Sequence, residues 1–526
     1  MSQADLSVPF RQRAGSAMKD AFLQEALTIA TTKFIGLRRE AFGDFPEGEK
    51  LRDVAREIKE ATLQHLDRYL EQLIDNVERL GGKVHFASTA AEARGVILEI
   101  GRRAGARMAV KSKSMATEEI HLNTALEAEG VEVVETDLGE YIIQLAHEMP
   151  SHIIAPAVHK TVPQVARLFT EAAGRPLPDD RTALCAFARE RLRSKFLAAD
   201  MGITGANFVT VDTGTIVLVT NEGNGRMCTS LPRVHVAVMP VEKVLPRFAD
   251  LGVLLPLLTR SATGQRLSTY VSMITGPRRP GEVDGPERLH VVFLDHNRRA
   301  LLGTPYEEML ACVRCGACLN VCPVYRRIGG HAYDAVYSGP MGAVLTPLLS
   351  GGSEGRDLPD ASSLCGACTE ACPVGIPLAD LLVRLRADLR RPGPPVPPAA
   401  PWPGHEVDGR AGADADRRAG ADADGPVATT AEPVGFAGGA PGRPSDTRPG
   451  ARAARRLGFA AWARLWASPA GYRLSAAAAR RLARLAPPAL IRRAPLVSGW
   501  GEGRDIPLPA ARSFRQRLAA REEEGW

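Results

Sequence analysis

The run "CVRCGACLNVCPVY", residues 312 to 325, puts four thiols within eleven positions and closes them with a proline. Cys312, Cys315, Cys318 and Cys322 follow the spacing C-x2-C-x2-C-x3-C, and Pro323 comes next. Close cysteines admit three uses. A disulfide framework suits short secreted domains, but this chain has 526 residues, and its start, "MSQADLSVPFRQRAG", lacks the apolar stretch of a secretory leader. Zinc takes cysteines in two separated pairs. An iron–sulfur cluster takes the spacing found here: two-residue gaps curl the backbone until three thiolates converge, the fourth points away, and the proline turns the chain. A cluster is the expectation, and clustered thiolates without a leader imply a reducing compartment, the cytoplasm.

A second run, "SSLCGACTEACPV", places Cys365, Cys368 and Cys372 before Pro373. Aligned from its proline end it is the same motif without its first cysteine, and the empty slot falls on Ser362. In two-cluster ferredoxins the last cysteine of each run ligates the other cluster. One cluster then takes Cys312, Cys315, Cys318 and Cys372. The other takes Cys322, Cys365 and Cys368, which leaves one iron without a thiolate. That iron is absent, as in a three-iron cluster, or bound by a non-cysteine group, or open to solvent or substrate. Ser362 itself reads as a helix N-cap before "LCGAC" rather than as a ligand. Cys185, in the helical "TALCAFARERLRSKF", and Cys228, in "GRMCTSLP", read as small buried hydrophobes.

The elements that must position these thiols are legible in outline. Residues 1–48 read as an N-terminal helical segment and 49–300 as one large α/β domain. Within it, residues 50 to 80 carry the apolar spacing of a single long amphipathic helix, stopped by Gly81 and Gly82. Short apolar runs then alternate with helical stretches: "KVHFA", "RMAVKSKSM", "VEVVETD" and "HIIAPAV". That order predicts a parallel sheet with helices on both faces. "ANFVTVDTGTIVLVTNE" predicts a hairpin turned at Thr213 and Gly214, and "RVHVAVMPVEKVL" and "LHVVFLDHN" add strands. Residues 301–390 surround the cysteines with helices. Residues 391–450 are rich in Pro, Gly and Ala, repeat "RAGADAD", and predict a disordered linker. The tail, 451–526, holds ten arginines and no acidic residue between 451 and 493. It predicts a basic amphipathic helix that docks on the cluster domain or a partner, or touches a membrane surface. The net charge of +6 is small for this length and argues against a dedicated nucleic-acid binder. No apolar run reaches the roughly 18 residues of a spanning helix.

In open parallel sheets, ligands sit beyond the carboxyl ends of the strands. Three strand-end loops fall there: "KSKS", "DLGEY" and "NEGNGR". The candidate anion-binding residues are Lys111, Lys113, Glu140, Asn221, Glu222 and Arg226, with Glu140 or Glu222 as a proton acceptor. His121, His152, His159 and His235 read as core or surface residues rather than metal ligands.

The stretches "VKSKSMATEEIHLN", "VEVVETDLGEYIIQLAHEMPSHIIAPAVHK", "GITGANFVTVDTGTIVLVTNEGNGR" and "LPRVHVAVMPVEK" resemble the LUD domain. With the cysteine runs behind them, and "GWGEGRDIPLP" and "RSFR" in the tail, the chain resembles the lactate utilisation protein B family. The insert at 391–450 is a departure from the family. The resemblance implies an α/β LUD domain similar to the sugar-phosphate isomerase and CoA-transferase folds. A mainly helical, two-cluster ferredoxin-like domain follows it. It implies two 4Fe–4S clusters with the ligands above, while the missing fourth cysteine leaves a three-iron cluster or a non-cysteine ligand open for the second. It also implies an electron-transfer subunit in the oxidation of L-lactate to pyruvate, with subunits A and C and an electron acceptor as partners. Lactate or pyruvate would bind here or on a partner. Two other classes stay open: an iron–sulfur enzyme holding a hydroxy acid at an open iron, as a dehydratase would, and a binding subunit whose clusters only brace the structure.

Overall fold

The structure, a computed structural model, describes residues 8–397 and scattered positions between 468 and 481. The linker beyond residue 397 and, those positions apart, the tail lie outside the described residues. Ten strands are present: β1 (Lys83–Ala87), β2 (Met108–Lys111), β3 (Glu132–Glu135), β4 (Met201–Thr204), β5 (Phe208–Thr210), β6 (Thr215–Thr220), β7 (Val234–Pro240), β8 (Val244–Leu245), β9 (Tyr270–Ile274) and β10 (Arg288–Leu294). Six form one sheet in the order β1-β10-β7-β4-β2-β3, and every pairing in it is parallel.

This sheet is covered on both faces, as its sequence requires. Every residue of β7 is buried, and successive residues face opposite sides. Val236, Val238, Val292 and Leu294 pack with Ile97 and Leu98 of the helix Ala90–Ala104. Ala237, Met239, Val291 and Phe293 pack with Leu70, Leu73 and Val77 of the helix Leu66–Arg79. The predicted hairpin forms between β5 and β6. It belongs to a second sheet, β8-β5-β6-β9, which the sequence did not separate from the first.

Two expectations about the elements fail for physical reasons. The single helix over 50–80 is two, Gly48–Gln64 and Leu66–Arg79, broken at His65. The first buries Ala55 and Leu63 in one core and the second buries Leu70 and Leu73 in another, and one straight helix cannot serve both. "HIIAPAV" is not a strand but a string of bends and turns. Pro156 has no N–H for a ladder, and the His152 ring takes the amides of Ile154 and Ala155 at 3.0 and 3.2 Å.

The cysteine region has no separate core. Leu319, Val344 and Leu382 share one apolar cluster with Leu27 and Ala55 of the N-terminal helices and Phe208 and Val217 of the second sheet. Cys185 is exposed rather than buried: Leu184, Ala188, Leu192 and Phe196 form the buried stripe of its helix, Arg181–Ala198, and Cys185 lies off it. Cys228 is buried as expected.

Candidate iron–sulfur centres and the adjoining cleft

Both cysteine runs build the same local structure. A residue at positive φ (Arg314 at 59°, Leu364 at 57°) precedes a cysteine, and a glycine follows it (Gly316 at 76°, Gly366 at 82°). That glycine caps a five-residue helix, Ala317–Val321 or Ala367–Ala371, and the last cysteine ends it in an extended conformation. Glycine suits the left-handed cap because it has no Cβ to clash there. A Cβ on Gly316 would also meet Ile154 and His152 at 3.1 and 3.2 Å. Helix 367–371 therefore starts at Gly366, and Ser362 is not an N-cap. Its Oγ accepts the Leu364 amide in the turn before the helix.

The two short helices pack together, and this mixes the runs. Cys312, Cys315, Cys318 and Cys372 line one small cavity of about 20 Å³. Cys322 and Cys365 help to raise the Cys368 thiol, and Cys365 helps to raise that of Cys322. All nine cysteines are free. Burial pushes the Cys315 thiol up to about 12 and Cys372 to about 11, so these groups stay protonated unless a bound cation takes the charge.

The donor set fits an iron–sulfur cluster better than a single ion. Four thiolates around one zinc stand roughly 3.8 Å apart, given a Zn–S bond of about 2.3 Å. Among the described residues, the one group of three Cys, His, Asp or Glu ligand atoms within 4.8 Å of one another is Glu148, His159 and His331. The cysteine sulfurs are thus spread more widely than one ion needs. Cations surround the first set. Lys59, Lys243 and Arg314 act on Cys312. Arg38 acts on Cys315 and Cys372, and Arg52 on Cys372. Arg314 has two buried nitrogens, Nε and Nη1, without a hydrogen-bond partner. Such a ring suits the net negative charge of a thiolate-bound cluster.

The carboxyl ends of the parallel strands hold Arg314 in place. Arg314 Nη2 donates to Glu242, beyond β7, at 2.9 Å. Glu242 also meets Arg298, which lies beyond β10 and grips Glu119 with two nitrogens at 2.7 and 2.8 Å. The Tyr337 hydroxyl donates to the same Glu119 at 2.7 Å. Residues 151–155 form a second tie. The Ser151 carbonyl accepts from the Tyr325 hydroxyl at 2.7 Å, and His152 Nε2 meets Asn320 Oδ1 at 3.2 Å. Since His152 Nδ1 accepts two amides, its proton is on Nε2. Burial lowers this imidazole to about 3, with Lys113 adding to the effect.

A cleft of about 580 Å³ opens at the same strand ends. Its polar wall includes Lys113, Asp137, Asn207, Glu222 and Lys243, and its apolar wall Ile154, Val158, Leu218 and Val219. Ile153 and Arg314 line both this cleft and the cavity of the first cysteine set. Of the residues expected to bind an anion, Lys113, Asn221 and Glu222 line the cleft; Lys111, Glu140 and Arg226 do not. The Lys111 ammonium turns to Glu135 at 2.5 Å, to Glu118 and to Asn123. Glu140 is buried with Oε1 unpartnered. The Arg226 guanidinium lies over the Tyr270 ring at 5.2 Å. Asn221 spends its amide on Gln265 and Thr269 at the rim. Burial and the neighbouring Asp137 push Glu222 up to about 7, and burial with Arg314 nearby lowers Lys243 to about 7. Lys243, Arg314 and Tyr337 escaped the sequence reading, although Pro240 ends its strand and puts Lys243 at a strand end.

Family comparisons agree with this architecture. The LUD domain matches residues 70–294, the 4Fe-4S dicluster domain residues 308–376, and the C-terminal region of lactate utilisation protein B residues 439–523. The chain is 50% identical over 378 residues to lactate utilization protein B of Bacillus licheniformis, covering 72% of this chain and 79% of that one. The protein of the same name from Shouchella clausii is 50% identical over 379 residues, covering 72% and 80%. That from Bacillus subtilis is 49% identical over 381 residues, with the same coverage. With its LUD domain, its dicluster domain and these relatives, the chain belongs to the lactate utilization protein B family.

Proposed function

We propose that this chain is the iron–sulfur electron-transfer subunit of a multi-subunit system that oxidises L-lactate to pyruvate, working with the A and C subunits and a further electron acceptor. The observation that carries the proposal is the different exposure of the two thiol sets. The four-cysteine set is enclosed and shares Ile153 and Arg314 with the cleft. The three-cysteine set reaches the surface at Cys365, beside exposed Leu364. A path that starts at a ligand cleft and ends at a surface is what a relay between a substrate and a partner needs. Cys312, Cys315, Cys318 and Cys372 would hold one 4Fe–4S cluster, and Cys322, Cys365 and Cys368 the other. The clusters supply one-electron carriers. The protein's own groups hold them, exclude water and set the charge around them. In the cleft, Lys113 and Lys243 offer ammonium groups to a carboxylate, and Glu222, poised near neutrality, can take or give a proton.

The dehydratase-like alternative needs an open iron facing the cleft. The three-cysteine set does not line it, which favours electron transfer. Among the described residues no helix is long and apolar enough to cross a membrane. The test is anaerobic reduction of the clusters by L-lactate. Absorbance should bleach when subunits A and C are present. Clusters that stay oxidised in the complete system, yet accept electrons from dithionite, would sink the relay.

A further inference from the structure

The likeness between the two cysteine runs extends to the position where the second has no cysteine. In the first run the Arg314 amide donates to Cys312 Sγ at 3.4 Å; in the second the Leu364 amide donates to Ser362 Oγ at 3.1 Å. The donors have matching positive φ values, and the same cysteine, left-handed glycine, short helix and extended cysteine follow each. Ser362 therefore presents its oxygen where Cys312 presents its sulfur. The segment is held from behind: Arg386 Nη2 donates to the Ser362 carbonyl at 2.9 Å and Nε to the Pro359 carbonyl at 2.8 Å. Ser362 does no capping work that would explain its hydroxyl.

We propose that Ser362 Oγ is the fourth protein ligand of the second cluster, completing a four-iron centre with Cys322, Cys365 and Cys368. The inference rests on the cluster assignment above. On binding, the hydroxyl loses its proton to solvent and an Fe–O bond forms; no electron moves. Solvent is at hand, because Ser362 is half-buried and neighbouring Ser363 and Cys365 are exposed. An oxygen ligand is harder than sulfur and favours the more oxidised iron. The second centre then has a lower potential than the same centre with four thiolates.

The test uses the full chain, purified and reconstituted anaerobically, with iron and sulfide analysis, electron paramagnetic resonance and Mössbauer spectroscopy. The wild type should hold about eight irons in two four-iron clusters. Ser362→Ala should lose one iron and show a three-iron signal, with the first cluster unchanged. Ser362→Cys should keep four irons in the second site and shift its midpoint potential upward, and it is informative even if the alanine variant loads poorly. A Ser362→Ala protein with the wild-type spectrum and iron count overturns the proposal, as does a wild type that already carries a three-iron centre. A wild type without acid-labile sulfide would bring down the cluster assignment beneath it.

Discussion

His152 shows how much one side chain can organise. Its Nδ1 accepts the amides of Ile154 and Ala155, and its Nε2–H donates to Asn320 in the helix between Cys318 and Cys322. The imidazole is fully buried, and burial keeps it neutral throughout the physiological range. Removing it orphans two partly buried donors and one buried acceptor, each costing up to roughly 1–3 kcal/mol. His152→Ala should therefore lose about 2–5 kcal/mol of stability, read from denaturant unfolding. It should also loosen the cleft wall formed by residues 153–158. A variant as stable as the wild type would mean that water replaces the ring without loss. The sequence marked His152 as a core or surface residue and could say no more, because its Nε2 partner, Asn320, lies 168 residues away.

At the scale of the element, the two short cysteine helices decide which thiols meet. Cys372 belongs to the second run in sequence and to the first set in space. Cys372→Ser should damage the first cluster's signal and spare the second, and Cys322→Ser should do the reverse. Loss of the same paramagnetic signal in both variants would refute the exchange. The sequence could propose this exchange because ligand spacing is a local constraint with few geometric solutions. The parallel sheet was readable for a similar reason: buried β-runs alternating with helices leave few topologies. What could not be read depended on tertiary company. Nothing in residues 50–80 announces that two cores share one helical pattern and that His65 must break it. The turns at 151–159 had a local clue in Pro156, overridden by the apolar run around it. Lys111 and Lys113 stand two residues apart at the end of β2, equally charged in sequence. Glu135, on the neighbouring strand β3, claims Lys111 and leaves Lys113 to the cleft.

At the scale of the whole molecule, the cleft and the four-cysteine set share walls, so a cluster held by that set would report on the cleft. Pyruvate, used as an anionic probe on the anaerobic holoprotein, should alter the line shape of the first cluster and leave the second untouched. Its binding should also depend on pH in a stated direction. Glu222 titrates near 7, raised by burial and by Asp137. Below that pH it is neutral, and Lys113 faces the incoming carboxylate with less competition. Above it a second anion stands in the cleft, and affinity should fall by up to about tenfold per pH unit. Glu222→Gln should make that dependence shallower while keeping the low-pH affinity, and the fall that remains belongs to Lys243, which burial lowers to about 7. Equilibrium titration from pH 6 to 8.5 on both proteins measures it. Wild-type affinity that stays level across the window would remove Glu222 from the site, and a probe that shifts the second cluster instead would place the ligand elsewhere.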